Sequence, residues 1–209
     1  LAMAIIDKIM LKAKADVRHI VLPEGEEKRN IAAAAKIVKE GLARITLVGD
    51  PAKIAETAKA LSVDLSGVET VNPASSDKAK PYAEALYMLR KAKGMTEEEA
   101  AQKMADPMYY GVMMVKTGDA DGLVSGAIHS TGDMLRPALQ IIKSKPGIKT
   151  VSSCFLMECP DRAYGTDGVM IFADCAVIPC PTAEELANIA VAAADSARSL
   201  AGMEPKVAL

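Results

Sequence analysis

Short apolar runs alternate with helical spacing through the first part of the chain. Residues 19–22 (HIVL) are apolar and end at the turn sequence PEG, and apolar residues then recur at helical intervals over 31–38. The order repeats, because the β-branched run 45–48 is followed by Asp50 and Pro51, a typical N-cap and first residue of a helix. A strand, a short turn and a helix, twice in succession, predict βαβ units and a parallel sheet.

The remaining elements follow from the same patterns. Thr96 and Glu99 have the spacing of a capping box, and Pro107 restarts the chain into a second helix. The predicted elements after residue 60 are a strand at 68–71, a helix at 77–93, two helices within 96–117, a strand end at 123–125, a helix at 131–143, strands at 150–157 and 168–173, and a helix at 182–200.

A proline-glycine step at 146–147 is the best internal boundary, so we expect a first α/β domain over 1–145 and a second over 146–209. The last four residues, KVAL, follow Pro205 and have the pattern of a buried strand. A strand without a partner leaves backbone groups unpaired, so we expect this chain to be the front part of a longer protein, truncated in its second domain.

Composition narrows the class of protein. Half of the residues are hydrophobic and a quarter are charged, which is enough to form a core, and the net charge of −2 disfavours nonspecific nucleic-acid binding. No uncharged apolar run reaches the roughly 18 residues that span a bilayer. Lysines at 8, 12 and 14 interrupt the first apolar positions, so a signal peptide is not predicted. We therefore expect a cytoplasmic protein.

The cysteines form two pairs, Cys154 with Cys159 and Cys175 with Cys180, each with four intervening residues. A zinc site is one interpretation, but Cys154 and Cys175 lie within apolar, strand-like runs. Disulfides are not expected in a chain without an export signal. We predict free, structural thiols and no metal, and the residues leave any further role of the cysteines open.

Candidate chemistry lies in residues 121–140. This segment holds three glycines, the hydroxyls of Ser125, Ser130 and Thr131, one histidine (His129) and one arginine (Arg136), where a strand passes into a helix. Ligands of open α/β sheets bind beyond the carboxyl ends of the strands, and hydroxyls, helix N-terminal amides and a guanidinium group suit an oxyanion. The segment therefore predicts an anion pocket.

Two other interpretations of this segment remain open. A catalytic triad of Ser125, His129 and Asp133 is disfavoured because residues spaced by four line up on a helix instead of converging on one base. A glycine-rich turn with a capping hydroxyl would need no ligand. The sequence has no Walker, GxGxxG, HExxH or GxSxG motif, so the common nucleotide, protease and hydrolase signatures are missing.

Three further residues have both a structural and a functional interpretation. Arg90 ends an apolar helix, where a cation complements the helix dipole, and Arg29 could be a surface partner of Glu26. Both could instead face the anion pocket. Asp174 ends the second of two strands that flank a glycine-rich passage, which predicts a hairpin and offers only weak support for a site.

Residues 125–140, SGAIHSTGDMLRPALQ, closely resemble the signature of the phosphate acetyltransferase (phosphotransacetylase) family. The likeness continues through five further segments in order: LPEGEEKR, MLRKAKG, PMYYGVMMVKTGDADGLVSGA, YGTDGVMIFADCAVIPCPTAEELANIA and PKVAL. It covers essentially all 209 residues. Several motifs in one order are more specific than any one of them.

The resemblance implies reversible acetyl transfer between coenzyme A and phosphate, a reaction of acetate metabolism in which acetyl-CoA and phosphate give acetyl phosphate and CoA. It implies a fold similar to isocitrate and isopropylmalate dehydrogenases: three layers around a parallel or mixed sheet, two α/β domains, a cleft between them and commonly a homodimer. In the family mechanism an aspartate deprotonates the CoA thiol, the thiolate attacks the carbonyl of acetyl phosphate, and a serine and an arginine stabilise the developing charge. No metal or prosthetic group is implied, since CoA and phosphate are substrates.

The resemblance also assigns substrate-binding residues: Arg136, Arg90, Arg29, Ser125, His129, Ser130 and Thr131. The family's catalytic serine, arginine and aspartate would lie beyond Leu209, so no catalytic residue is assigned in this chain and the isolated chain is predicted to be inactive. A cysteine discussed in the family is replaced by Arg162, so no thiol role transfers there. Alternatives are a phosphate butyryltransferase, the transferase-like regulatory domain of some malic enzymes, and a non-catalytic module that binds acyl phosphate or CoA.

Overall fold

The computed structural model describes residues 4–209, and these form two compact units. One unit is residues 13–143, and the other joins the N-terminal segment up to Lys12 to residues 144–209. The expected first domain, 1–145, therefore includes an N-terminal segment that belongs to the second unit, because Ile5 is buried there and its N–H lies 3.3 Å from the Glu158 carboxylate. Residues 1–3 of that predicted domain lie outside the described residues.

The unit of residues 13–143 is built on a parallel sheet of four strands in the order β3-β2-β1-β4. The strands are β1 (Arg18–Leu22), β2 (Ala43–Val48), β3 (Glu69–Val71) and β4 (Gly122–Leu123). The predicted α/β class and parallel sheet are confirmed. The strand expected to end at 123–125 stops at Leu123, because the backbone amides beyond it turn away to bind a carboxylate described below.

Six helices of this unit connect or follow the strands, and a further helix spans its boundary. They are α2 (Lys28–Lys39), α3 (Pro51–Ala60), α4 (Ala79–Arg90), α5 (Glu97–Met104), α6 (Pro107–Thr117) and α7 (Thr131–Ile141), preceded by α1 (Ile5–Ala15). The expected caps are present: Asp50 accepts the N–H of Ala52, and Thr96 and Glu99 form the capping box of α5. The helix predicted over 77–93 is α4 followed by one 3-10 turn.

Successive side chains of β1 point to opposite faces of the sheet and supply two cores. Val21 packs in a cluster with α4, α5, α6 and α7, whereas Leu22 packs in a cluster with α2 and α3. Helix α6 lies so close to the sheet that a Cβ at Gly111 would be 2.9 Å from the Leu123 side chain. The unit is thus a three-layer α/β/α arrangement.

The other unit contains the predicted hairpin. Strands β5 (Cys154–Glu158) and β6 (Val169–Ala173) are antiparallel, and α8 (Ala183–Ser196) follows and ends in a π turn. The strand predicted for KVAL is wrong: residues 206–209 have no regular structure and line a cleft of about 500 Å³ with β6 and α8. A strand needs a neighbour for its backbone groups, and neither β5 nor β6 bonds to these residues.

Three observations on the described residues bear on the sequence-based expectations. None of the helices between residues 4 and 209 is both long enough and apolar enough to cross a bilayer. The four cysteines are free, and Cys180 is exposed. No group of three or more metal-ligating side chains occurs within residues 4–209.

Asp174, which the sequence offered as a weak site candidate, holds the turn after β6. Its carboxylate accepts both the N–H and the hydroxyl of Ser153, at 3.0 and 2.9 Å, and the backbone N–H groups of Ala176 and Val177 at 2.7 and 2.8 Å. Partial burial alone would raise the pKa of Asp174, but these hydrogen bonds outweigh it and keep the pKa well below the ordinary value of an aspartate.

Replacing Asp174 with asparagine should destabilise the chain by about 2 kcal/mol at pH 7, because charge-assisted hydrogen bonds are lost. The pKa of Asp174 is lower when folded than when unfolded, so its stabilisation is complete at neutral pH and declines as the pH falls below about 4. The difference between the wild type and D174N should therefore shrink from pH 7 to pH 3. Urea unfolding at the two pH values measures it.

Asp195→Asn is the control, because the exposed Asp195 pairs only with Arg198 on the same helix turn. We expect its effect to be below about 0.5 kcal/mol at both pH values. A D174N defect that is equal at pH 7 and pH 3 would contradict the role of the ionised carboxylate.

Candidate anion-binding site

The candidate site lies at the carboxyl ends of two neighbouring strands. Val21 of β1 pairs with Leu123 of β4, so the segment after β1 and the β4–α7 loop (residues 124–130) leave the same edge of the sheet side by side. Such an edge is where open α/β sheets bind ligands.

Glu24, two residues after β1, binds the β4–α7 loop through five hydrogen bonds. One carboxylate oxygen accepts the N–H groups of Gly126 and Ala127 at 3.0 and 2.8 Å. The other accepts the N–H groups of Ile128 and His129 and the ring Nδ1 of His129, each at 2.8 Å. The backbone amides of residues 126–129 therefore bind a protein carboxylate and are not available to a ligand.

The Glu24 carboxylate is ionised at neutral pH. Its side chain is fully buried, and burial alone would raise the pKa. The backbone N–H groups of Ile128 and Ala127, together with His129, outweigh that effect and hold the pKa of Glu24 far below its usual range. Because an ionised carboxylate is only an acceptor, His129 Nδ1 carries the proton of this hydrogen bond.

Gly25 lets the segment after β1 pass close to β2. The Gly25 N–H donates to the Val48 carbonyl at 3.1 Å, and a Cβ at Gly25 would lie 2.6 Å from that same oxygen. Only glycine fits such an approach to a backbone atom without a shift. The turn sequence PEG thus fixes the backbone position of Glu24.

Arg29 also reaches the β4–α7 loop. Its guanidinium donates to the Ala127 carbonyl at 2.6 Å and to the Glu27 carboxylate at 2.8 Å, while Glu27 caps α2. The surface partner suggested by the sequence, Glu26, instead accepts the N–H of Asp50 and pairs with Lys53. Arg29 remains largely exposed.

Helix α7 begins directly after the loop. Ser130 is its N-cap, and its hydroxyl donates to the Asp133 carboxylate at 2.7 Å while accepting the N–H of the same residue at 3.3 Å. Thr131 is the first helical residue and is exposed. Arg136 lies further along the same helix and is exposed, and its guanidinium has no hydrogen-bond or ion-pair partner among residues 4–209.

Ser125 and Arg90 hold the two buried side-chain polar atoms that lack a partner within residues 4–209: Ser125 Oγ and Arg90 Nε. Buried polar groups are normally hydrogen-bonded, so each such atom requires an explanation. Both residues were assigned to substrate binding from the sequence. Arg90 ends α4, which packs against α6 and α7, and no hydrogen bond joins Arg90 to the β4–α7 loop.

The structure thus brings Arg29, Ser125 and His129 together around one loop, with Ser130, Thr131 and Arg136 on the helix that follows it. The alternative triad is not formed, because His129 binds Glu24 and Asp133 binds Ser130. Glu24 was not predicted from the sequence to be part of the site. The available signal was a glutamate directly after a buried strand, at the edge where a glycine-rich loop needs acceptors for its amides.

The electrostatic balance of the site favours a negatively charged ligand. The carboxylates in contact with the loop, with α7 or with Arg29 are Glu24, Glu27 and Asp133, and all three are hydrogen-bonded. The Arg136 guanidinium is neither hydrogen-bonded nor ion-paired within residues 4–209, although its charge helps to lower the pKa of Asp133. Arg29 adds a second guanidinium, which Glu27 already binds. Guanidinium forks and hydroxyl donors match the oxygens of a phosphoryl group.

The comparisons with known proteins agree with each other. A sequence model of the phosphate acetyl/butaryl transferase family matches residues 4–209. Proteins named phosphate acetyltransferase from Clostridium acetobutylicum and Thermoanaerobacterium thermosaccharolyticum are 53% and 52% identical over 99% of this chain. The chain spans 62% of the length of each.

Solved structures have the same fold. A phosphotransacetylase from Streptococcus pyogenes matches with a TM-score of 0.88 and 39% identity, covering 98% of this chain and 61% of that one. The EutD phosphotransacetylase from Staphylococcus aureus matches with a TM-score of 0.85 and 40% identity, covering 96% and 58%. With a family match along nearly its whole length, the chain belongs to the phosphate acetyl/butaryl transferase family.

Proposed function

We propose that the complete protein carrying this chain transfers an acetyl group reversibly between coenzyme A and phosphate, and that this chain supplies much of the phosphoryl-binding side of the site. The observation that carries the proposal is the pair of unpartnered buried atoms, Ser125 Oγ and Arg90 Nε. They occur in a chain that is 53% identical to a protein named phosphate acetyltransferase.

The residues have distinct roles in this proposal. Arg136, Arg90 and Arg29 hold the negative charges of phosphate or of the phosphoryl group of acetyl phosphate. The hydroxyls of Ser125 and Thr131 donate to its oxygens, and Ser130 does the same once its hydroxyl turns away from the Asp133 carboxylate that it binds at 2.7 Å. The unbonded ring nitrogen of His129 accepts the P–OH proton of inorganic phosphate. Val124 and Ile128 are exposed apolar neighbours that offer contact area to the acyl group.

The acyl transfer balances without an added reactant. The CoA thiol loses its proton to a base, the sulfur forms a bond to the acetyl carbon, and phosphate leaves with the electrons of the broken carbon–oxygen bond. The acyl donors of the two directions, acetyl phosphate and acetyl-CoA, both carry an activated acyl group. We therefore propose that no metal or prosthetic group takes part. The guanidinium groups stabilise the charge that grows on the departing phosphate.

Further features belong to this proposal. We place the complete protein in the cytoplasm as a homodimer, with two domains of the isocitrate and isopropylmalate dehydrogenase type. The family match and the likeness to phosphotransacetylase structures support the domain type. Sedimentation of the complete protein tests the dimer.

The function is tested by incubating the complete protein with acetyl-CoA, with and without phosphate, and measuring release of the free CoA thiol. We expect release that depends on phosphate, and formation of acetyl-CoA from acetyl phosphate and CoA in the reverse direction. Butyryl-CoA is assayed in place of acetyl-CoA as a second acyl donor, because the name of the family includes both acyl groups. Faster turnover of butyryl-CoA would contradict the acetyl assignment, and no turnover of either would contradict the function.

A further inference from the structure

Glu24 is a buried charge that the proposed reaction does not use. Its side chain has no exposed surface, and its two oxygens accept five hydrogen bonds, all from the β4–α7 loop. Burying a carboxylate is costly unless hydrogen bonds satisfy it fully. The loop and the carboxylate therefore depend on each other.

The five hydrogen bonds fix the whole path of the loop. Consecutive amides from Gly126 to His129 point at one carboxylate, so the backbone curls around it. Ser125 comes immediately before this curl and Ser130, the N-cap of α7, immediately after it. The direction in which Ser125 Oγ leaves the backbone is set by the same curl.

The hydrogen bond to His129 also fixes the state of the imidazole ring. With Nδ1–H donated to the carboxylate at 2.8 Å, a neutral ring has its lone pair on Nε2. Nε2 has no hydrogen-bond partner among residues 4–209, and the side chain is 35% exposed. That nitrogen is therefore free to accept a hydrogen bond in one defined orientation, for example from the P–OH group of inorganic phosphate.

We propose that Glu24 is a positioning residue of the acyl-phosphate site, which holds Ser125 Oγ and His129 Nε2 in the geometry that binds the phosphoryl group. Glu24 itself touches no substrate. It acts through the loop, in the way that outer partners orient the ligands of a metal or the members of a catalytic triad. This inference rests on the proposed function.

Glu24→Gln removes the charge and changes the hydrogen bonding but keeps the shape of the side chain. The carboxamide has the same size, but its NH₂ group must face one pair of backbone N–H donors, either Gly126 and Ala127 or Ile128 and His129. Because the NH₂ group and the backbone N–H groups are all donors, they cannot hydrogen-bond to each other, and that part of the loop opens. Glu26→Gln is the matched control, because Glu26 lies in the same β1–α2 connection, is 42% exposed and contacts Asp50 and Lys53 instead of the loop.

Two readouts distinguish positioning from general stability. In NMR spectra of the 209-residue chain, the wild type should show the Nδ1–H form of His129 and amide protons of residues 126–129 shifted downfield by the carboxylate. E24Q should lose the shift for one pair of amides. In the complete protein, E24Q should raise KM for phosphate and for acetyl phosphate by about 10-fold to 100-fold, because a displaced site binds poorly, while KM for CoA changes little. The thermal midpoint should also fall, because a buried site loses hydrogen bonds, so the contrast between the KM values is the readout that a merely structural role would not produce.

Glu24→Asp keeps the charge but shortens the side chain, so its KM for phosphate should lie between those of the wild type and E24Q. It also serves where E24Q fails to fold. Wild-type values of KM in both E24Q and E24D, or an unchanged amide pattern in E24Q, would overturn the inference while leaving acetyl transfer intact. A wild-type protein without acetyl transfer overturns the proposed function instead, and the NMR result still decides whether Glu24 orders the loop.

Discussion

Replacing Arg136 with glutamine should lower kcat/KM for acetyl phosphate by about 100-fold or more in the complete protein, as the loss of a charged transition-state partner does in other enzymes. Among residues 4–209 this guanidinium has no hydrogen-bond or ion-pair partner, so it is already free to bind an anion. It lies on α7, the helix whose N-cap is Ser130. Steady-state assays at varied acetyl phosphate concentration measure the effect.

Arg136→Lys gives the second half of this test. Lysine keeps the charge but loses the planar fork that binds two phosphoryl oxygens, so activity should recover only in part. Arg44→Gln is the matched control, because Arg44 is similarly exposed, pairs with Glu69 and lies in the first half of β2, away from its carboxyl end. A wild-type value of kcat/KM in R136Q would show that Arg136 is not part of the site.

The fold was largely predictable because its local signals agree with each other. Asp50 with Pro51, and Thr96 with Glu99, start helices where their side chains cap the backbone, and these caps need no tertiary contact. The prediction of a strand at KVAL was wrong because strands, unlike helix caps, depend on tertiary contacts. A strand exists only with a neighbour, and an apolar pattern alone does not reveal whether a neighbour is present.

The residues assigned to the site stay a prediction, and the hydrogen bonds that order its loop could not be predicted from the sequence. Composition and spacing at 121–140 indicated an anion pocket, which stays a prediction. Within residues 4–209 the structure leaves the buried Ser125 Oγ and the exposed Arg136 guanidinium without hydrogen-bond partners. Glu24 lies about 100 positions away along the chain, as the separation of 102 residues from Gly126 shows. No local pattern connects two segments that meet only through the pairing of β1 with β4.

Glu24 and Asp174 have the same structural role, one in each unit. Each follows a strand, each is ionised, and each uses its carboxylate to bind successive backbone amides of a turn that the sheet no longer orders. The pKa of both carboxylates is held far below the ordinary range by these amides. Two irregular segments of this protein are thus ordered by internal anions, whose stabilisation is complete at neutral pH and declines as the pH falls below about 4.

The 209-residue chain by itself should give no acetyl transfer above the uncatalysed rate. Transfer from acetyl phosphate to CoA requires a base that takes the thiol proton, and such a base works best with a pKa near the working pH. The pKa values of Glu24, Glu27 and Asp133 are all lowered by their hydrogen bonds, which makes these carboxylates weak bases. Each also already accepts a hydrogen bond from the protein.

Phosphate binding should nevertheless survive in this chain, because Arg136 and Ser125 are present and unpartnered. Calorimetric titration with phosphate should therefore give a saturable signal that R136Q abolishes and R44Q keeps, while an assay of the same preparation with acetyl-CoA and phosphate releases no CoA thiol. The complete protein, assayed in parallel, provides the active reference. Turnover by the 209-residue chain would mean that one of its own groups takes the thiol proton. His129, whose Nε2 has no hydrogen-bond partner within residues 4–209, would then be the first residue to replace.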